Sequence, residues 1–142
     1  MINVLTSNSV SYEILSQLRE WFVSEWGDVE PFEGVHSEVE IPSPIVAVDE
    51  RTALLGGLSF TSATKPNQTE IGVWINMVLI SPSHRNKGIA SMLVQSAEVE
   101  AKNSSLCELF VLSEFPNLYR KLGWELVEVN SAEKEVVLKK CL

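Results

Sequence analysis

INMVLISPSHRNKGIASMLVQSAEVEAK, Ile75 to Lys102, changes character twice within 28 residues. A dense apolar run gives way to a polar, basic turn, and a helical pattern follows at once. The formal net charge of the chain is −8, yet Arg85 and Lys87 stand beside Gly88 just where the helix should begin. A helix N-terminus presents unpaired N–H groups and a partial positive charge, so a strand–loop–helix junction can hold an anion. Gly88 lets the backbone approach a ligand without a Cβ in the way. Ala90 keeps the first turn thin, and the two cations add formal charge. A pyrophosphate matches that set of donors. A turn glycine flanked by solvated cations gives the same local pattern. No GxxxxGK[ST] is present, and the loop lacks the first glycine of a GxGxxG fingerprint.

Working outward, residues 2–6 alternate as a first strand. Ser9 or Ser11 can cap a helix with Glu13 in its first turn, and Ile14, Leu18, Trp21 and Phe22 share one face of it. Gly27 ends that helix, and the acidic segment 28–40 reads as loop or a short helix. PIVAVDE and ALLGGLSFTSA read as antiparallel partners, with Gly56-Gly57 suggesting a bulge. EIGVWINMVLI is a long strand whose end, Met77 to Ile80, is apolar on both faces, as in a central strand covered on both sides. A helix over about 89–102 follows, then the strand 106–112, a short helix over 117–122 stopped by Gly123, and two final strands. The order β-α-β-β-β-α-β-α-β-β implies one mixed α/β sheet with helices packed on it.

At 142 residues the chain fits one domain, 1–142, without internal repeats. The charge argues against nucleic acid, which calls for a basic face, and mildly favours cationic partners. No stretch approaches the roughly 18 apolar residues of a membrane span, and no signal peptide is evident at the first residues. Cys107 and Cys141 form no CxxC pattern and read as buried or incidental thiols in a reducing cytoplasm, with no metal site.

R85-N86-K87-G88-I89-A90 resembles the [RQ]xxGx[GA] acyl-CoA pyrophosphate loop of the GNAT superfamily of N-acetyltransferases. LFVLSEFPNLYRKLGWELV resembles that family's fifth strand, tyrosine helix and "YxxxGW/F" turn, in the expected order after V78-L79-I80-S81-P82. The resemblance implies helices on both faces of a sheet whose fourth and fifth strands splay apart. It further implies acetyl-CoA as co-substrate, bound by Val78, Leu79, Ile80, Arg85, Asn86, Lys87, Gly88, Ile89, Ala90 and Ser91. The Leu79 N–H would face the thioester oxygen, and Tyr119 would be the general acid. Trp26 and Trp74 would border the acceptor cleft, although core packing accounts for each slightly better.

The loop SEFPN is shorter than in many members, which leaves contacts of Asn117 and Arg120 with the cofactor open. No general base stands out among His36, Glu38, Glu40 and His84. The expected activity is transfer of an acetyl group to a primary amine: a small molecule, an amino acid or a protein N-terminus. A longer acyl donor, a non-catalytic acyl-CoA sensor and an interaction domain that binds no cofactor are the competing readings. The protein is expected to act as a monomer or homodimer.

Overall fold

Ser11 starts the first helix: its hydroxyl accepts a hydrogen bond from the Ile14 N–H at 3.4 Å, and its backbone is extended. That helix, α1 (Tyr12–Trp26), stops at Gly27, whose φ of 84° leaves the helical region while its N–H bonds the Val23 carbonyl at 2.7 Å. In this computed structural model the described residues are 1–27, 39–130 and 134–142. His36 and Glu38 lie outside them.

Among the described residues seven strands form one sheet in the order β1-β2-β3-β4-β5-β7-β6. They are β1 (Asn3–Thr6), β2 (Ile45–Val48), β3 (Leu54–Thr64), β4 (Ile71–Ile80), β5 (Glu108–Ser113), β6 (Glu125–Asn130) and β7 (Glu135–Cys141). All neighbours are antiparallel except β4 and β5. The last strand therefore inserts between β5 and β6. Helix α2 (Ile89–Asn103) connects β4 to β5, and the short α3 (Pro116–Arg120) follows β5. The order of elements is as the sequence implies, and the mixed sheet carries helices on both faces.

Each face has its own core. Ile89, Leu93, Val94, Ala97 and Ala101 of α2 pack with Leu58, Phe60, Val73, Ile75, Leu109, Val111 and Leu138 of the sheet, and Tyr119 and Trp124 join them. Leu18 and Phe22 of α1 pack on the other face, against Val46, Val48, Leu54 and Met77. We call these the α2 face and the α1 face.

The glycine pair works differently from the sequence expectation. The extra residue of the β2–β3 bulge is Leu55, since Gly56 pairs with Ala47 and Leu54 with Val48. The glycines serve close approach. A Cβ on Gly57 would lie 2.5 Å from the Leu18 side chain, and one on Gly56 would lie 2.7 Å from the Leu79 carbonyl oxygen. Gly56→Ala should therefore cost about 1–3 kcal/mol, because backbone of β4 must shift. Chemical denaturation of this variant tests the point, and unchanged stability would mean that β4 yields freely.

Two other expectations are corrected. Cys107 and Cys141 are exposed, not buried; both sit where β5 and β7 run out at the sheet's end. Val78, Leu79 and Ile80 are only half-buried. The strand they end is covered on its faces but not along one edge.

Candidate active site

That edge borders the candidate site. β4 and β5 pair at only two positions, Trp74 with Phe110 and Ile75 with Val111. Past Ile75, β4 stays with β3 as far as Ile80, and β5 stays with β7 as far as Ser113. The bend begins at Asn76, the extra residue of a bulge, because Met77 pairs with Ser59 and Ile75 with Phe60. An unpaired residue in one strand kinks it and raises its twist. The strands then diverge around a cleft of about 1250 Å³ that passes through the sheet.

The direction of the β4 amides follows from two contacts. The Ser81 N–H bonds the Leu55 carbonyl at 2.8 Å, so Ser81 turns toward β3. The Leu79 carbonyl crowds Gly56 and turns the same way. In a strand the N–H and C=O of one residue leave together, and successive residues alternate. The N–H of Leu79 is thus committed to β3, and those of Val78 and Ile80 face the cleft. The Leu79 N–H, expected to face a thioester oxygen, therefore points away from the cleft, and the Val78 N–H is the neighbouring amide that faces it. The Ile80 carbonyl is already taken, accepting a bond from Arg85 Nε at 3.2 Å.

Beyond β4, a single turn over Pro82–His84 leads into the basic loop. Asn86 (φ 63°) and Gly88 (φ 78°) both take the left-handed conformation, flanking Lys87. Gly88 is the N-cap of α2 and has no side chain to accept from the first-turn N–H groups. These donors remain for a ligand. Gly88 is also open: an added Cβ would meet nothing within 4 Å.

Across the cleft, α3 presents Tyr119. Its ring stacks edge-on against Trp124, with centroids 5.2 Å apart, and the residue is 3% exposed. Burial pushes its phenol up to about 12. Among the described residues none is hydrogen-bonded to its hydroxyl, and the residue lines the cleft. The Tyr119 carbonyl accepts from the N–H groups of Leu122 and Trp124, which with Gly123 at φ 89° folds the chain back sharply and fixes the ring.

Of the residues expected at the site, Val78, Leu79, Ile80, Arg85, Asn86, Gly88, Ile89, Ala90, Ser91, Tyr119 and Trp26 line this one cleft. Lys87 does not; it is exposed. Trp74 does not either, which corrects its place in the acceptor wall. It sits where β4 and β5 are still paired and packs on Phe110 at 5.2 Å. Asn117, Arg120 and Glu40 are exposed and away from the cleft lining. His84 lines it beside Arg85, its Nδ1 3.1 Å from Ser83 Oγ.

Sequence reasoning missed Glu25, Asn76, Lys121 and Glu135, which also line the cleft. Asn76 carried a signal, as the one polar residue in the run WINMVLI. Among the described residues no three His, Cys, Asp or Glu side chains gather as a metal site, and no helix is long and apolar enough to cross a membrane.

Three solved structures share this architecture over almost their whole length. A mosquito arylalkylamine N-acetyltransferase like 5b aligns with a TM-score of 0.70 at 11% identity, covering 100% of both chains. A Bacillus subtilis acetyltransferase in complex with CoA aligns at 0.64 and 16%, covering 100% of this chain and 99% of that one. A GNAT family acetyltransferase from Elizabethkingia anophelis with acetyl-CoA bound aligns at 0.59 and 14%, covering 100% and 97%. At such identities the likeness establishes the fold. No curated protein sequence matches the chain. The sequence matches the Acetyltransferase (GNAT) family over residues 13–124. With the splayed strands, the basic loop and the tyrosine helix in their places, the chain belongs to the GNAT family of acetyltransferases.

Proposed function

We propose that the chain is an acetyl-CoA-dependent N-acetyltransferase that delivers an acetyl group directly to a primary amine. The observation that carries this reading is the cleft itself. Its β4 wall offers the N–H groups of Val78 and Ile80, its far wall offers the Tyr119 hydroxyl, and its mouth holds Arg85 and the open start of α2.

In this reading the α2 start and Arg85 hold the pyrophosphate, and the Ile80 N–H and Val78 C=O pair with the pantetheine arm. The Val78 N–H donates to the thioester oxygen, where negative charge develops as the amine attacks. One such donor is typically worth about 3 kcal/mol in the transition state. The C–N bond forms, the C–S bond breaks, and the sulfur needs a proton.

Tyr119 donates toward that sulfur. A phenol at about 12 is a weak source of a free proton. Giving one to a thiolate of ordinary pKa, about 8.5, is uphill by roughly 5 kcal/mol. Tyr119 therefore acts as a relay, taking the proton of the newly formed ammonium as it gives up its own. Electrons and protons balance: neutral amine and thioester become amide and thiol.

The test is release of free thiol from acetyl-CoA across a panel of amines, with the acetylated amine identified by mass. Transfer to at least one amine supports the reading. Acetyl-CoA binding without transfer leaves a sensor, and release only from longer acyl-CoA changes the donor. Absence of any binding leaves an interaction domain. The reading takes residues 1–142 as one domain, a monomer or homodimer, in the reducing cytoplasm that two exposed free thiols suit.

A further inference from the structure

Residues of both faces of the sheet line the cleft, and its basic groups (His84, Arg85, Lys121) and its carboxylates (Glu25, Glu114, Glu135) come from different elements. His84, Arg85, Lys121 and the start of α2 are features suited to an anion. The α1 face is built differently. Glu25 and Trp26 come from the last turn of α1, whose C-terminus adds a partial negative charge. Leu112 follows Val111 of the α2-side core and so faces the other way. Glu135 precedes Val136, which packs on the α2 side, and it too faces the α1 side.

Glu25 and Glu135 thus flank the opening from opposite walls. Neither has an ion pair among the described residues. Among the described residues, the basic groups of the cleft lining, His84, Arg85 and Lys121, are on none of α1, β5 and β7. Lys139, on the same face of β7, is at the closed end opposite Phe110 and off the lining.

A second feature points to a ligand in this cleft: Tyr119, nearly fully buried, lines it, and its hydroxyl has no hydrogen-bond partner among the described residues. Trp26, 47% exposed, lines the cleft beside Glu25.

Chemistry restricts what the carboxylates are for. The amine that attacks must arrive neutral, and a carboxylate beside it would hold it charged. Carboxylates at the rim, around a buried reaction centre, suit a charge that persists through the reaction. Resting on the transferase reading, we infer that the acceptor enters from the α1 face and carries a second cationic group besides the amine that is acetylated. Glu25 and Glu135 hold that group, and Trp26 covers the apolar link and supplies its ring face to the cation.

The probes are 1,4-diaminobutane and n-pentylamine, equal in size and differing by one ammonium. Kinetics with acetyl-CoA, and calorimetry on the CoA-loaded protein, should show the diamine preferred about tenfold or more, as for a hydrogen bond to a charged group. The preference should shrink in Glu25→Gln and Glu135→Gln and vanish in the double variant, with acetyl-CoA affinity and melting temperature unchanged. Equal binding of the two probes overturns the inference, as does a preference that survives in the double variant. The calorimetric arm stands apart from catalysis: diamine binding lost in the double variant, with no acetyl transfer to any amine, would retain the cation site and remove the transferase reading.

Discussion

Replacing Gly88 with aspartate lowers the affinity for acetyl-CoA by about two to three orders of magnitude, and the fold survives. Gly88 has a left-handed backbone and open space around it, so a side chain clashes with nothing. The conformational cost is about 1–2 kcal/mol for most residues, and less for Asp or Asn, which visit this region more readily. The larger effect is electrostatic. A carboxylate about 4 Å from a phosphate at an effective dielectric near 20 costs roughly 4 kcal/mol. The same carboxylate competes for first-turn N–H groups that have no side-chain acceptor. Gly88→Asn separates the terms, since it has the shape without the charge and should bind within about tenfold of the parent. Calorimetry on the three proteins decides it. Unchanged affinity in the aspartate protein would remove the loop from the site.

Why this loop was legible in the sequence, and the rest of the site less so, has a physical basis. Gly88 and Arg85 are local signals: a backbone conformation and a charge, each fixed within a few residues of α2. The periodicity of Ile89, Leu93 and Ala97 gave α2 for the same reason. The cleft depends on what β4 does not pair with, and an unpaired edge has no composition of its own. Met77 to Ile80 look the same whether covered by β5 or by a ligand.

The bulge at Asn76 compounds this. One inserted residue changes which amides face the opening, so the amide directed at it is that of Val78 and not the one expected at Leu79. Trp74 was misplaced by a related ambiguity. Position along β4 does not reveal where the parallel pairing stops, and Trp74 is on the paired side of that point. Glu25 and Glu135 are 110 residues apart and become neighbours of one opening only because β7 inserts beside β5.

Tyr119→Phe tests the chemistry most directly, because it removes one hydroxyl and leaves the ring on Trp124. If the hydroxyl relays a proton to the departing sulfur, turnover falls by about one to three orders of magnitude while acetyl-CoA affinity stays the same. That split marks an interaction made only in the transition state. Stability gives an independent readout. A core tyrosine whose hydroxyl is satisfied would lose about 1 kcal/mol on becoming phenylalanine. Tyr119 has no partner among the described residues, so its melting temperature should hold or rise slightly as a desolvated polar atom leaves. The pH profile supplies a third. With the phenol pushed up to about 12 by burial, it remains protonated through pH 10, where an ordinary tyrosine is half ionised. Tyr119 should therefore put no alkaline limb on wild-type turnover below about pH 11, and the loss in the phenylalanine protein should be uniform across the neutral range. Full turnover in that protein would return Tyr119 to the core and leave the ammonium to protonate the sulfur through water.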